Sequence, residues 1–173
     1  GYFNYKFITN ACNKWDDGYG WSPQINIHIP WMRLSDVYLM YAESVVAATG
    51  NAQGSATSTM TALQAVNKIR ERAGGADVNT NHVSDPHKFM NESRRERAVE
   101  LAFEGHRFND LRRWVLLDKY PYNVKTSQEF QRVGNINPTD PTLDAVSGFK
   151  EVQILKRDFS AKHYWLPLKK ADT

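Results

Sequence analysis

Cysteine is nearly absent, with Cys12 alone among 173 residues. That excludes an intrachain disulfide and a thiolate metal site. No base stands near Cys12 in sequence, so it reads as an inert small side chain rather than a nucleophile. Long apolar runs are missing as well. None approaches the roughly 20 residues that a bilayer-spanning helix needs. A strong charge imbalance is also lacking. The net charge is only +3, and acidic residues are interleaved with basic ones. Nucleic acid needs a concentrated basic face, whereas the densest cluster, Arg94-Arg95-Glu96-Arg97, is broken by Glu96. It reads as a solvated or ion-paired helix start, and no nucleic-acid partner is expected. No glycine-rich phosphate loop is present, because Gly74-Gly75 follows a helical pattern instead of opening one. His28, His82 and His87 lack ligand spacing, so neither a metal nor a cofactor is expected.

What remains is an ordinary globular composition, 41% hydrophobic and 24% charged. It is enough for one domain with a core, spanning residues 1–173. The apolar periodicity is mainly helical. Leu34, Val37, Tyr38, Tyr41 and Val45 recur at helical spacing, which predicts a first helix over residues 34–48 with that stripe inward. Leu39, Met40 and Val46 lie elsewhere on the wheel, so cover on more than one side is expected. A second helix is predicted over residues 58–73, with Ala62, Val66, Ile69 and Ala73 inward and Gly74-Gly75 as its stop. Asp85-Pro86 supplies a cap and a first-turn proline for a third helix reaching Leu116 or Leu117. Strands are expected to be few: residues 4–8, the alternating Ile25, Ile27 and Ile29, and a short piece around Phe149, Val152 and Ile154. Residues 125–148, with Asn137-Pro138 and Asp140-Pro141, read as a polar loop without regular structure.

The richest segment is ERAVELAFEGHRFNDLRRW, residues 96–114. Glu104 and Arg107 are three apart, as are Arg107 and Asp110, and Asp110 and Arg113. These spacings let successive pairs form a ladder along a helix. Phe108, Leu111 and Val115 mark an inward face. Gly105 interrupts the run, and a mid-helix glycine costs about 1 kcal/mol against alanine, so a split between two helices is expected there. Glu100, Glu104 and Asp110 invite a glycosidase reading, in which one carboxylic acid protonates the leaving group. Arg97, Arg107 and Arg113 stand ready to neutralise them, which lowers a carboxylate pKa and spoils a general acid. Glu100, Glu104, Arg107, Asp110 and Arg113 are therefore read as a structural ion-pair network. His106 has no nucleophile motif to serve, and His163 reads as a packed, hydrogen-bonded side chain.

Ligand contact has one local candidate, the aromatic loop near the N-terminus. Asn13, Trp15, Asp16, Asp17, Tyr19 and Trp21 combine flat rings with polar partners, the mixture that sugar C–H faces and hydroxyls require. Such rings also pin a loop onto neighbouring helices. Burial of at least two of Trp15, Tyr19 and Trp21 is the expectation, with sugar stacking as its alternative.

The charged segment resembles the ERR-x-EL-x-x-EG-x-R-x-x-DLRRW signature of the SusD/RagB family of nutrient-binding outer-membrane lipoproteins. RLSDVYLMYAES (residues 33–44), AVNKIRERAGG (65–75) and HYWLPL (163–168) are similar to further family segments in the same order. The departures are small: Ala98 stands where a second basic residue is common, and Leu168 replaces the usual isoleucine. The resemblance implies a mainly α, SusD-like fold of tetratricopeptide-like helical pairs with loop-rich segments and a few short strands. It implies no enzyme. The implied role is cell-surface binding of an oligosaccharide or other nutrient and delivery to a SusC-like TonB-dependent transporter. Membrane contact would come only through an N-terminal lipid anchor absent from these residues. Two other classes stay open, a helical protein-interaction module and a glycoside hydrolase. The chain starts at Gly1 without a leader, and family members continue past its last segment, so it is expected to be a C-terminal portion of a longer protein.

Overall fold

The computed structural model describes residues 6, 30–55, 59–134 and 146–165. The chain divides into two compact units, Asn4–Arg107 and one formed chiefly by Phe108–Thr173. The described part is mainly helical with one small sheet, as the periodicity predicts.

The first unit is built on α1 (Leu34–Thr49), α2 (Ala62–Arg72), the single turn α3 (Thr80–Val83) and α4 (Pro86–Glu100). Its core gathers Leu39, Ala42, Val45 and Val46 of α1, Ala62, Ala65, Val66 and Ile69 of α2, and Phe89 of α4. On α1 the buried face is rotated from the expected stripe. Ser35, Asp36, Leu39, Ala42, Val45 and Val46 are buried, Tyr38 and Tyr41 only flank the core, and Leu34 and Val37 are exposed. Small Ala42 lets the neighbouring helix approach, and an apolar-letter count does not weigh that. Tyr41 is fixed by its hydroxyl, which donates to the Met60 carbonyl at 2.5 Å.

α2 starts later than its apolar pattern suggests. Thr61 is its N-cap: the hydroxyl accepts from the Gln64 amide, and the Gln64 side chain accepts from the Thr61 amide. This reciprocal pairing satisfies two end donors that would otherwise be orphaned. At the other end the Gly75 amide bonds the Arg70 carbonyl at 2.8 Å and the Gly74 amide bonds the Glu71 carbonyl at 3.0 Å. Gly74 carries the left-handed φ of +73° that this cap demands. Ala73, expected inward, is exposed because it already belongs to the cap. Asp85 caps α4 as expected, its Oδ1 accepting from the His87 and Lys88 amides at 2.8 and 3.2 Å.

α4 ends at Glu100, and Gly105, at φ +81°, closes the turn before α5 (His106–Arg113). The split at Gly105 is where the sequence places it. α5 buries Asp110 and Leu111, but Phe108 and Val115, expected inward, are 52% and 57% exposed. Val115 turns outward because the helix has already ended: the Leu116 amide bonds the Leu111 carbonyl at 2.9 Å and the Val115 amide bonds the Arg112 carbonyl at 3.1 Å. This is the same cap as at Gly74, with Val115 at φ +55° in the glycine position.

In the second unit, β1 (Val124–Arg132) pairs antiparallel with β2 (Val146–Lys156), from Val124↔Lys156 to Arg132↔Val146 with two register shifts. The expectation of an irregular loop over 125–148 is thus corrected at both ends, where residues 125–132 and 146–148 are strand. β1 carries no alternating apolar face: seven of its nine positions are exposed and the other two half-buried. Backbone pairing holds it, and that leaves no period-2 signal to read. A short 3-10 turn, Ala161–Tyr164, follows. His163 is exposed there. Its Nδ1 accepts from the Ser160 amide at 2.9 Å and its ring meets Phe159 edge-on, so it is hydrogen-bonded as expected but not packed inside.

Candidate functional site

Charge converges on the C-terminal end of α4. The last carbonyls of a helix lack intrahelical donors and carry the negative end of its dipole, so cations gather there. Arg33, just before α1, donates from one terminal nitrogen to the Glu100 carbonyl at 2.8 Å. Its guanidinium also pairs with the Glu100 carboxylate at 2.8 Å and the Glu104 carboxylate at 2.7 Å. The Lys6 ammonium reaches the Glu100 and Ala102 carbonyls at 2.9 and 3.0 Å and pairs with Glu104. Arg72 of α2 closes on Glu100 at 2.7 Å. Both carboxylates are almost withdrawn from solvent, with side-chain exposures of 9% and 5%.

The electrostatics follow from that geometry. Burial alone pushes the Glu100 carboxyl up, but hydrogen bonds from Ser35 and Arg33 and the charge of Arg72 outweigh it and hold it below the usual range. Glu104 is likewise pushed up by burial and brought below its usual range by Arg33 and Lys6. Arg33 is driven still further toward its charged form, first by its hydrogen bond to Glu104. The cluster holds two ionised carboxylates among three cations and has no protonated acid to offer.

The pairing around Glu100 and Glu104 runs between segments distant in the chain, not along one helix. Asp110 and Arg113 do form the expected intrahelical contact, at 3.0 Å. Further along α4, Glu92 and Glu96 both grip Arg70 of α2, at 2.9 and 3.0 Å. Arg97, part of the cluster read as solvated or ion-paired, is ion-paired, and its partner is Asp36 of α1, against which it is buried. Arg95 is exposed and meets Glu92 at 3.3 Å. No group of acidic, histidine or cysteine residues suited to a metal ion occurs among the described residues.

The loop candidates Asn13, Trp15, Asp16, Tyr19 and Trp21 lie outside the described residues, as do the predicted strands at 4–8 and 25–29 apart from Lys6, which sits in a turn. The second unit holds a feature that sequence reasoning missed, a groove of about 590 Å³ between α5 and the turn at Ala161–Tyr164. Arg112 donates its Nε to the Tyr164 carbonyl at 2.5 Å, and the Tyr164 hydroxyl bonds Asp118. That hydroxyl, with the Lys119 ammonium, holds the Asp118 carboxyl below its usual range. Trp165 stands 77% exposed at the rim. Its only sequence signal is its place in HYWLPL, where an aromatic among apolar residues reads as core.

The comparisons with known proteins agree with this architecture. A search among curated proteins finds no match. A solved SusD-like protein from Bacteroides fragilis is similar at 28% identity with a TM-score of 0.56, covering 80% of this chain and 22% of that one. The chain therefore spans well under two thirds of that relative's length. The family model for the SusD family matches residues 1–173, throughout the charged helices and the segments that flank them, and the chain belongs to that family.

Proposed function

We propose that this chain is the C-terminal portion of a surface-exposed outer-membrane protein that captures a glycan or other nutrient. The protein passes that ligand to a TonB-dependent transporter of the SusC type. The observation that carries the reading is the family match over residues 1–173. The local chemistry supports binding without catalysis: Glu92, Glu96, Glu100, Glu104 and Asp110 are all committed to cations. A glycosidase needs one carboxylic acid kept protonated, whereas Glu100 and Glu104 are held in their charged form. No described helix is long and apolar enough to cross a membrane. Calorimetric titration of the intact protein with a panel of oligosaccharides tests the proposal, alongside an assay for new reducing ends. Saturable binding with no sugar release is the expected result, and release of reducing sugar overturns it.

A second reading, a helical protein-interaction module, is favoured by one observation. Leu34, Val37 and Met40 of α1 and the preceding Trp31 and Met32 are exposed, Trp31 almost completely. Contiguous exposed apolar surface of this kind marks a contact site. It is compatible with nutrient capture, since a transporter partner also needs a face to meet.

A further inference from the structure

The groove of the second unit has a chemistry of its own. Among the described residues its lining includes Asn109, Arg112, Arg113, Val115, Tyr164 and Trp165, with two guanidinium groups and no carboxylate. Arg113 already has a partner in Asp110. Arg112 does not: its Nε is spent on the Tyr164 carbonyl, and its two terminal nitrogens have no partner among the described residues. The Nε bond fixes the plane of the guanidinium, so the free edge is a preoriented pair of parallel donors. That fork matches the two oxygens of a carboxylate. The side-chain amide of Asn109 is exposed and also has no partner among the described residues, leaving both its N–H donors and its carbonyl oxygen available. Trp165 is largely exposed, and a volume of about 590 Å³ falls within the range of small-molecule sites.

We propose that this groove binds a carboxylate-bearing sugar residue, a uronate within an acidic glycan. The sugar's C–H face lies on Trp165, its carboxylate on the free edge of Arg112, and its hydroxyls on Asn109. The assignment rests on the glycan-capture reading above and narrows it to an acidic ligand. The charge complementarity favours this occupant over a neutral sugar, which would leave the Arg112 fork unused.

The test titrates the intact protein with three acidic probes, trigalacturonate, trimannuronate and a glucuronate-containing disaccharide, and with neutral trisaccharides of glucose and mannose. The expected result is binding of at least one acidic probe that weakens at high salt. Trp165→Ala and Asn109→Ala change exposed side chains, so the melting temperature stays put while acidic-probe affinity falls about tenfold, as loss of a stacking ring predicts. Arg112→Gln should abolish discrimination between acidic and neutral probes. If acidic probes bind with the same affinity in all three variants, the groove assignment is wrong. The assignment also falls if only neutral probes bind, although glycan capture then stands. If no saccharide of either kind binds, the groove assignment falls together with the glycan form of the capture reading.

Discussion

Arg97 of α4 and Asp36 of α1 face each other as an ion pair withdrawn from solvent, with side-chain exposures of 7% and 5%. Arg97 continues the buried stripe of Phe89 and Ser93 on α4, so the pair sits where an apolar contact would otherwise hold the two helices. Desolvating both ions costs free energy that their attraction only roughly offsets, whereas stranding one of them is expensive. Asp36→Ala or Arg97→Ala should therefore each destabilise the fold by about 3–5 kcal/mol. A double replacement by apolar residues of similar volume should recover most of that loss. Denaturant unfolding of the four proteins provides the check, and additive losses in the double variant would contradict the coupling.

Val115 and Gly74 occupy the same place in the same helix cap, at φ +55° and +73°. A β-carbon in the left-handed region costs roughly 1–2 kcal/mol, part of which glycine returns through its greater freedom when unfolded. Val115→Gly should raise stability by about 1 kcal/mol, and Gly74→Ala should lower it by a similar amount. A fall in stability on Val115→Gly would show that the exposed valine makes contacts outweighing its strain.

Acid should loosen the first unit. Glu100 and Glu104 are held below their unfolded value of 4.5, so their contribution is fully present above that pH. It is lost as pH falls from 4.5 through the lower folded values, because the unfolded chain then binds protons more readily. The melting temperature should decline over that window. Glu100→Gln and Glu104→Gln should each start lower and decline less. An equally steep decline in both variants would place the acid-sensitive groups elsewhere.

The helices and their ends are legible in the sequence because their signals are local. Asp85-Pro86, Gly74-Gly75 and Gly105 each act within one turn of chain. The partners of Glu104 are not legible: Arg33 lies 71 positions away and Lys6 lies 98 away. Spacing along one helix therefore points first to Arg107. The same limit applies to Arg97, whose neighbours make a basic cluster in sequence while its own side chain turns into the core. β1 escapes notice because a strand exposed on both faces has no apolar alternation. Of the ligand site, the aromatic loop is visible as composition. The groove at Trp165 is not, since it joins residues of α5 to a turn some fifty positions later.

The aromatic loop offers a direct choice between two outcomes. If Trp15, Tyr19 and Trp21 pack against the helices, Trp15→Ala should cost roughly 3–5 kcal/mol of stability. If they stack on sugar, the same change should leave stability alone and cost roughly 1–3 kcal/mol of ligand binding, by analogy with base stacking on aromatic rings. Packing of at least two rings is the expected outcome. Paired melting and titration measurements on Trp15→Ala, Tyr19→Ala and Trp21→Ala distinguish the two, and three ligand-sensitive, stability-neutral rings would overturn the packing account.

The central claim is that the charged end of α4 holds the fold together and takes no part in ligand chemistry. The most direct measurement is Glu104→Gln in the intact protein, with melting temperature and glycan affinity determined on the same preparation. The predicted result is a clear drop in melting temperature, since Arg33 and Lys6 lose their shared anion, with affinity unchanged. A tenfold loss of affinity at an unchanged melting temperature would contradict it and make the cluster a binding site.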